Sequence, residues 1–222
     1  MAYTVSNLPF NPAKLDGLSE KMVVSHFVDV YCNTVKRLNV ISEQLAKLDF
    51  AKTPSFLLNA LKREELAAFN SMVLHEVYFD SLGGSSLPSG EALDTFVRHF
   101  GSFERWHVQF TALARSQATR AGWVVLAWSH RDHQLINLCG TEFSVSLVGA
   151  TPVLALDMHE HAFQLDFGSK SSAYVDAFLK NVNWKAVTER LRAAVAASPR
   201  VEAAEPLMRA DSTHPFPPES LQ

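Results

Sequence analysis

The stretch "GGSSLPSG", residues 83–90, divides this chain into two textures. Three glycines, three serines and a proline in eight residues do not continue a helix or a central strand, so the flanking regions organise separately. Before it, "LSEKMVVSHFVDVYCNTVKRLNVISEQLAKLDF" predicts a long helix capped by Ser19. Its apolar residues Val23, Phe27, Val30, Val35, Leu38 and Ile41 recur at steps of three to five. "TPSFLLNALKREELAAFNSMVLHEVYFDSL" predicts a second helical stretch, broken before Glu64.

Beyond the divide, "SGEALDTFVRHFGSFERWHVQFTALARSQA" reads as two helices parted near Gly101. "GWVVLAWSH", "HQLINLCGT" and "TPVLALDMH" are short apolar runs bounded by turn residues and predict three strands, with "RDH" as a hairpin turn. "SAYVDAFLKNVNWKAVTERLRAAVAA" returns to helix. From Ser198 the chain is proline-rich and poor in large apolar residues, which predicts a loosely ordered tail. The expected fold class is α+β. An N-terminal α-helical hairpin domain (1–88) precedes an α/β domain (89–197) with a small three-stranded antiparallel sheet flanked by helices, and the tail covers 198–222.

Composition excludes several classes. With 47% hydrophobic and 19% charged residues, the 222-residue chain can bury a substantial core. A net charge of -3 offers no basic stripe for nucleic acid. No window approaches 18 consecutive apolar residues, so no membrane span is expected, and the N-terminal segment lacks the pattern of a signal peptide. Cys32 and Cys139 are too few and too far apart for a disulfide framework, which points to a cytoplasmic protein.

The chain's chemistry lies in its histidines. His130 and His133 flank the predicted turn and read as solvated, while His99 and His107 sit among Phe and Trp, where packing accounts for them. His26 and His75 differ, because each falls on the buried face of a long helix, where an imidazole needs partners for both nitrogens. Asp157 ends the apolar strand "VLAL", where a bare carboxylate is costly to bury. In "LDMHEHAF", two further histidines follow it, His159 and His161. Two helical histidines, a strand-end Asp and a nearby His supply three nitrogens and one oxygen. That donor set suits a redox-active iron or manganese with a position open to a small substrate.

From about residue 5 to 195 the chain resembles the iron/manganese superoxide dismutase family. The resemblance rests on "LPF", "SHFVDVYCNTVKRLN", "VLHEVYFDSL", "FGSFERWHVQFTALA", "AGWVVL" and "LDMHEHAFQLDFGSKSSAYVDAFLKNVNW", in the family's order. It implies metal ligands at His26, His75, Asp157 and His161, one iron or manganese ion per subunit, and superoxide as substrate. It also implies a homodimer in which Glu160 bridges to the partner subunit's ligand histidine.

Departures from the family pattern gather around the expected metal. His159 replaces a Trp, Thr34 the gateway Tyr, Tyr31 a His, and Val30 and Gln164 a His–Tyr pair at the dimer. Asp29 replaces a Lys, which should weaken attraction of an anion. The family's outer-sphere Gln is also missing: Ser71 holds one of its two usual places and Glu142 or Phe143 the other. Val125 replaces a Trp, and Ser171 an Arg. His159 is the candidate substitute for the lost relay, as a fifth ligand or an acid/base group. The alternative is that it fills the Trp volume and bonds a neighbour. Tyr31 is either a replacement phenol or, by the simpler reading, packing. These changes leave two other readings open. One is a metalloenzyme acting on peroxide, dioxygen or an organic molecule, and the other a non-catalytic metal-binding module.

Overall fold

The structure, a computed structural model, describes residues 2–84, 87–118, 120–141 and 148–198. Ser19 caps the first helix as expected, its Oγ accepting from the Met22 N–H at 3.1 Å. The helix begins as α1 (Glu20–Ser25), passes through one π-helical segment (His26–Tyr31) and continues as α2 (Cys32–Ala46). The π segment sets the buried His26 and Tyr31 five residues apart on one face, because it inserts an extra residue into the turn, and such segments frequently mark functional sites.

The second helix is not broken before Glu64. α3 runs continuously from Ser55 to Asp80. "LKREELAAF" holds neither Gly nor Pro and consists largely of strong helix formers. The apolar periodicity fades because the first half of α3 stands largely in solvent, with Phe56 76% exposed and Leu66 45%. From Ala68 to Phe79 the helix turns a buried face to the core.

Helices α4 (Glu91–Phe100) and α5 (Phe103–Gln117) part where expected. Gly101 takes φ +85 at the end of α4, and Ser102 caps α5 by accepting from Arg105 N at 3.1 Å. The sheet follows as β1 (Trp123–Ser129), β2 (Gln134–Gly140) and β3 (Ala150–Asp157), antiparallel in the order β2-β1-β3. The central strand β1 is buried along its whole length, with α5 packed over β1 and β2, and α3 and the C-terminal helix Trp184–Ala196 over β3. Its register sets Trp123 opposite Asp157, which places the strand-end carboxylate beside the core. Helix α6 (Glu160–Phe167) comes next. The last predicted helix divides into α7 (Ser171–Lys180) and α8 (Trp184–Ala196), with Asn183 capping α8. Among the described residues no helix is long and apolar enough to cross a membrane.

His130 is not solvated as expected. Its nitrogens lie 2.8 Å from both Ser198 Oγ and Thr151 Oγ1, which pins Ser198 against the sheet. His133 Nε2 is buried as well. Residues 199–222, the rest of the expected tail, lie outside the described residues.

Gly122, at the entrance to β1, holds the site's last strand in place. Its carbonyl accepts from Met158 N at 2.8 Å, its φ is +144, and a Cβ there would stand 2.5 Å from the Gly140 carbonyl oxygen. Gly122→Ala is therefore expected to cost about 2–3 kcal/mol, from the forced φ and the backbone clash. In a chain of this size that corresponds to roughly 5–10 °C in melting temperature, which thermal unfolding followed by circular dichroism would register.

Candidate metal centre

Four side chains from four elements meet between the helical hairpin and the sheet. His26 opens the π segment, His75 lies near the end of α3, Asp157 ends β3, and His161 stands in the first turn of α6. Their metal-capable atoms all lie within 4.8 Å of one another. Asp157 Oδ2 is the point of convergence, with the Nε2 atoms of His26, His75 and His161 at 3.1, 3.6 and 3.0 Å. Asp157, His26 and His75 are buried, whereas the His161 side chain is 35% exposed.

Local structure fixes the aim of each group. His75 Nδ1 donates to the Ser71 carbonyl at 2.6 Å, one turn earlier in α3, which turns the lone pair of Nε2 inward. The His26 ring lies between Tyr78 and Phe79, at 5.0 and 5.1 Å, and Trp123 meets the His75 ring edge-on at 4.9 Å. Behind Tyr78, the Tyr174 hydroxyl donates to the Tyr78 hydroxyl at 3.2 Å, and burial raises the pKa of both phenols.

The electrostatics suit a cation. Burial pushes the His26 pKa below its ordinary value against the pull of Asp157, and burial with His26 alongside lowers His75 to about 3. Burial alone would raise the Asp157 pKa, but the imidazoles of His159, His161 and His26 outweigh it and hold the carboxyl well below the usual range. Two neutral imidazoles thus face one carboxylate. His26 Nε2 and His75 Nε2 are buried with no hydrogen-bond partner, an arrangement that burial normally penalises. An iron or manganese ion fits here, because it would satisfy both nitrogens and neutralise the carboxylate.

The other expected site residues are placed unevenly. His159 stands against the cluster, its Nδ1 2.6 Å from Asp157 Oδ1 and its ring stacked 5.2 Å from that of His161. Tyr31 is buried 6.1 Å from the His75 ring, but its hydroxyl donates to Glu76 Oε1 at 3.0 Å and accepts from Ser6 N at 2.9 Å. A cavity of about 280 Å³ opens beside Tyr31 and Glu76, and none of the four metal-capable groups lines it. Thr34, half-buried on α2, and Gln164, exposed on α6, stand outside the cluster, and Glu160 is exposed beside His161. Ser71 meets His75 Nδ1 through its carbonyl oxygen at 2.6 Å and its Oγ at 3.3 Å, and Asp29 is exposed, accepting from Ser25 Oγ at 2.8 Å. Glu142 and Phe143 lie outside the described residues. Sequence reasoning missed Glu76 as the holder of Tyr31 and Trp123 as a wall on His75; adjacency to His75 and the strand register were the available signals.

A helical hairpin and an α/β unit that enclose three imidazoles and a carboxylate define a mononuclear metalloprotein. Residues 88–190 match the family described as iron/manganese superoxide dismutases, C-terminal domain. The chain is 50% identical over 195 residues to the iron superoxide dismutase of Cupriavidus metallidurans, covering 88% of this chain and 99% of that one. It is 32% identical to the iron superoxide dismutase of Aquifex pyrophilus over 194 residues, 84% and 90% of the two chains. To the manganese superoxide dismutase of Mycobacterium leprae it is 32% identical over 199 residues, 86% and 94%. The chain belongs to the iron/manganese superoxide dismutase family.

Proposed function

We propose that the protein converts superoxide to dioxygen and hydrogen peroxide, with one iron or manganese ion per subunit held by His26, His75, Asp157 and His161. The observation that carries this reading is the convergence of two buried, partnerless nitrogens on Asp157 Oδ2, in a chain half-identical to an iron superoxide dismutase. When bound, the ion supplies a centre that alternates between the +2 and +3 states. The protein's part is to keep the His26 and His75 imidazoles neutral, to present a single carboxylate, and to exclude bulk water with Tyr78, Phe79 and Trp123. Thr34 and Gln164 are assigned to the approach for substrate, and His159 and Tyr31 to the surroundings of the ligands.

Exposed Glu160 next to the part-exposed His161 supports a homodimer in which each Glu160 reaches the other copy's His161. Cys32 and Cys139 are both free, which supports a cytoplasmic location, checked by cell fractionation.

The test is dismutation per bound ion on metal-free protein reloaded separately with iron and manganese, with sedimentation of the same samples. Activity with at least one metal and the mass of two copies are expected. Two fully loaded but inactive forms would end the dismutase reading and leave a metalloenzyme for another small redox substrate.

A further inference from the structure

Asp157 has two oxygens, and the structure gives them different work. Oδ2 faces the three Nε2 atoms, and Oδ1 faces His159. Oδ1 takes two donors from a single residue, the backbone N–H of His159 at 2.8 Å and the His159 ring Nδ1 at 2.6 Å. The carboxyl torsion of an Asp is broad and roughly two-fold, so nothing within the residue decides which oxygen points inward or whether both do. The backbone N–H is one anchor. The ring supplies a second on the same oxygen, and one that side-chain chemistry can remove.

The ring is itself held in place. It lies parallel to His161, 6° between planes at 5.2 Å, and meets Trp123 at 6.0 Å and 67°. Asp157 Oδ1 already accepts the His159 backbone N–H, so Nδ1 is the donor in this pair, and that contact fixes the proton on that nitrogen. The Trp that stands here in the resembling family could not make the bond in the same way. Its ring carries a carbon where imidazole has Nδ1, and its nitrogen sits one atom further round.

We propose that His159 is a positioning residue for the metal carboxylate. Through its backbone N–H and Nδ1–H it holds Asp157 Oδ1, so that Oδ2 alone is presented to the ion shared by His26, His75 and His161. The role rests on the metal-site reading above and differs from a fifth ligand through Nδ1, because that nitrogen is committed to the carboxylate. Loss of a hydrogen bond that orients a ligand typically weakens metal binding about 10–100-fold.

Three variants separate the two ring nitrogens. His159→Leu removes both, His159→Asn keeps an amide nitrogen at the Nδ1 position, and His159→Gln carries it to the Nε2 position. Each is loaded with manganese, the rate of release to excess EDTA is followed, and the ferric forms are compared by electron paramagnetic resonance. Circular dichroism of the metal-free variants checks folding. His159→Leu should release manganese about 10–100 times faster and show a changed ferric signal. His159→Asn should return to within about threefold of the parent, as expected when a ligand-orienting donor is restored, while His159→Gln should behave like Leu.

Parental release with an unchanged ferric signal in His159→Leu would overturn the proposal, as would rescue by Gln equal to that by Asn. If the parent protein retains neither manganese nor iron, or retains them equally after His26→Ala, the metal-site reading itself has failed, and the positioning role goes with it.

Discussion

Asp157→Asn should leave a protein that retains neither iron nor manganese and whose dismutation falls to the background of the assay. The substitution keeps shape and volume and removes only the charge, so the expected loss is electrostatic. The carboxylate is the sole anion among the four groups, and Oδ2 is the atom on which all three imidazoles converge. Loss of a ligand should exceed the about 10–100-fold typical of losing a hydrogen bond to one. The metal-free protein should suffer too. The depressed carboxyl pKa means that the fold favours the ionised form. An amide can accept at one end only and would place an N–H against a His159 donor or an imidazole lone pair. Losing a buried hydrogen bond to a charged group costs about 1.5–3 kcal/mol, so denaturant unfolding of the two metal-free proteins should differ by about that much. Metal content after reloading, counted by plasma mass spectrometry, checks the larger claim. A variant that still carries one ion per chain and remains active would sink the four-group site.

The elements that sequence disclosed best were those whose local signals agree with their tertiary role. Ser19 caps where it should, Gly101 and Ser102 end one helix and start the next, and three bounded apolar runs become three paired strands. Reading failed where burial and propensity part company. Helix α3 looked broken because its first half projects from the core, so the apolar stripe disappeared while the helix-forming residues remained. The π segment was not legible, since its five-residue step runs from His26 to Tyr31 and spacing alone cannot tell an inserted residue from an irregular stripe. At the site, His26 and His75 were legible as histidines on apolar helix faces, and Asp157 as a charge ending an apolar strand. Direction was not legible. Whether Tyr31 points at the ligands or at Glu76, and which nitrogen of His159 meets which oxygen, depends on side-chain torsions that no pattern of residue types encodes.

The metal-free protein should be unusually sensitive to mild acid, and bound metal should postpone the loss. His75 is neutral in the fold down to about pH 3, while an unfolded chain's imidazole takes up its proton near 6.5. Between those values the unfolded state binds more protons, so stability rises with pH in that window and is lost as pH falls through it. Each pH unit contributes about 1.4 kcal/mol per group. His75 alone therefore represents about 5 kcal/mol between pH 6.5 and 3, comparable with the whole stability of many domains. His26 is depressed in the same direction and adds to the slope from the same starting point. Asp157 acts with the same sign lower down, since its folded pKa lies below the unfolded carboxyl value of 3.8 and acid protonates the unfolded chain first. Denaturant midpoints of metal-free protein at pH 7.5, 6.5, 5.5 and 4.5, steps chosen to bracket the window, should fall steeply below 6.5. His75→Gln, which cannot take up the proton, should flatten that fall by about 1.4 kcal/mol per unit. Loading with manganese should move the onset to lower pH, because proton and ion compete for the same Nε2 atoms. A profile that is flat from 7.5 to 4.5, or one unchanged by His75→Gln, would mean that the buried imidazoles reach water before the fold gives way. The centre would then be an open cleft, and the neutrality of its ligands would no longer come from burial.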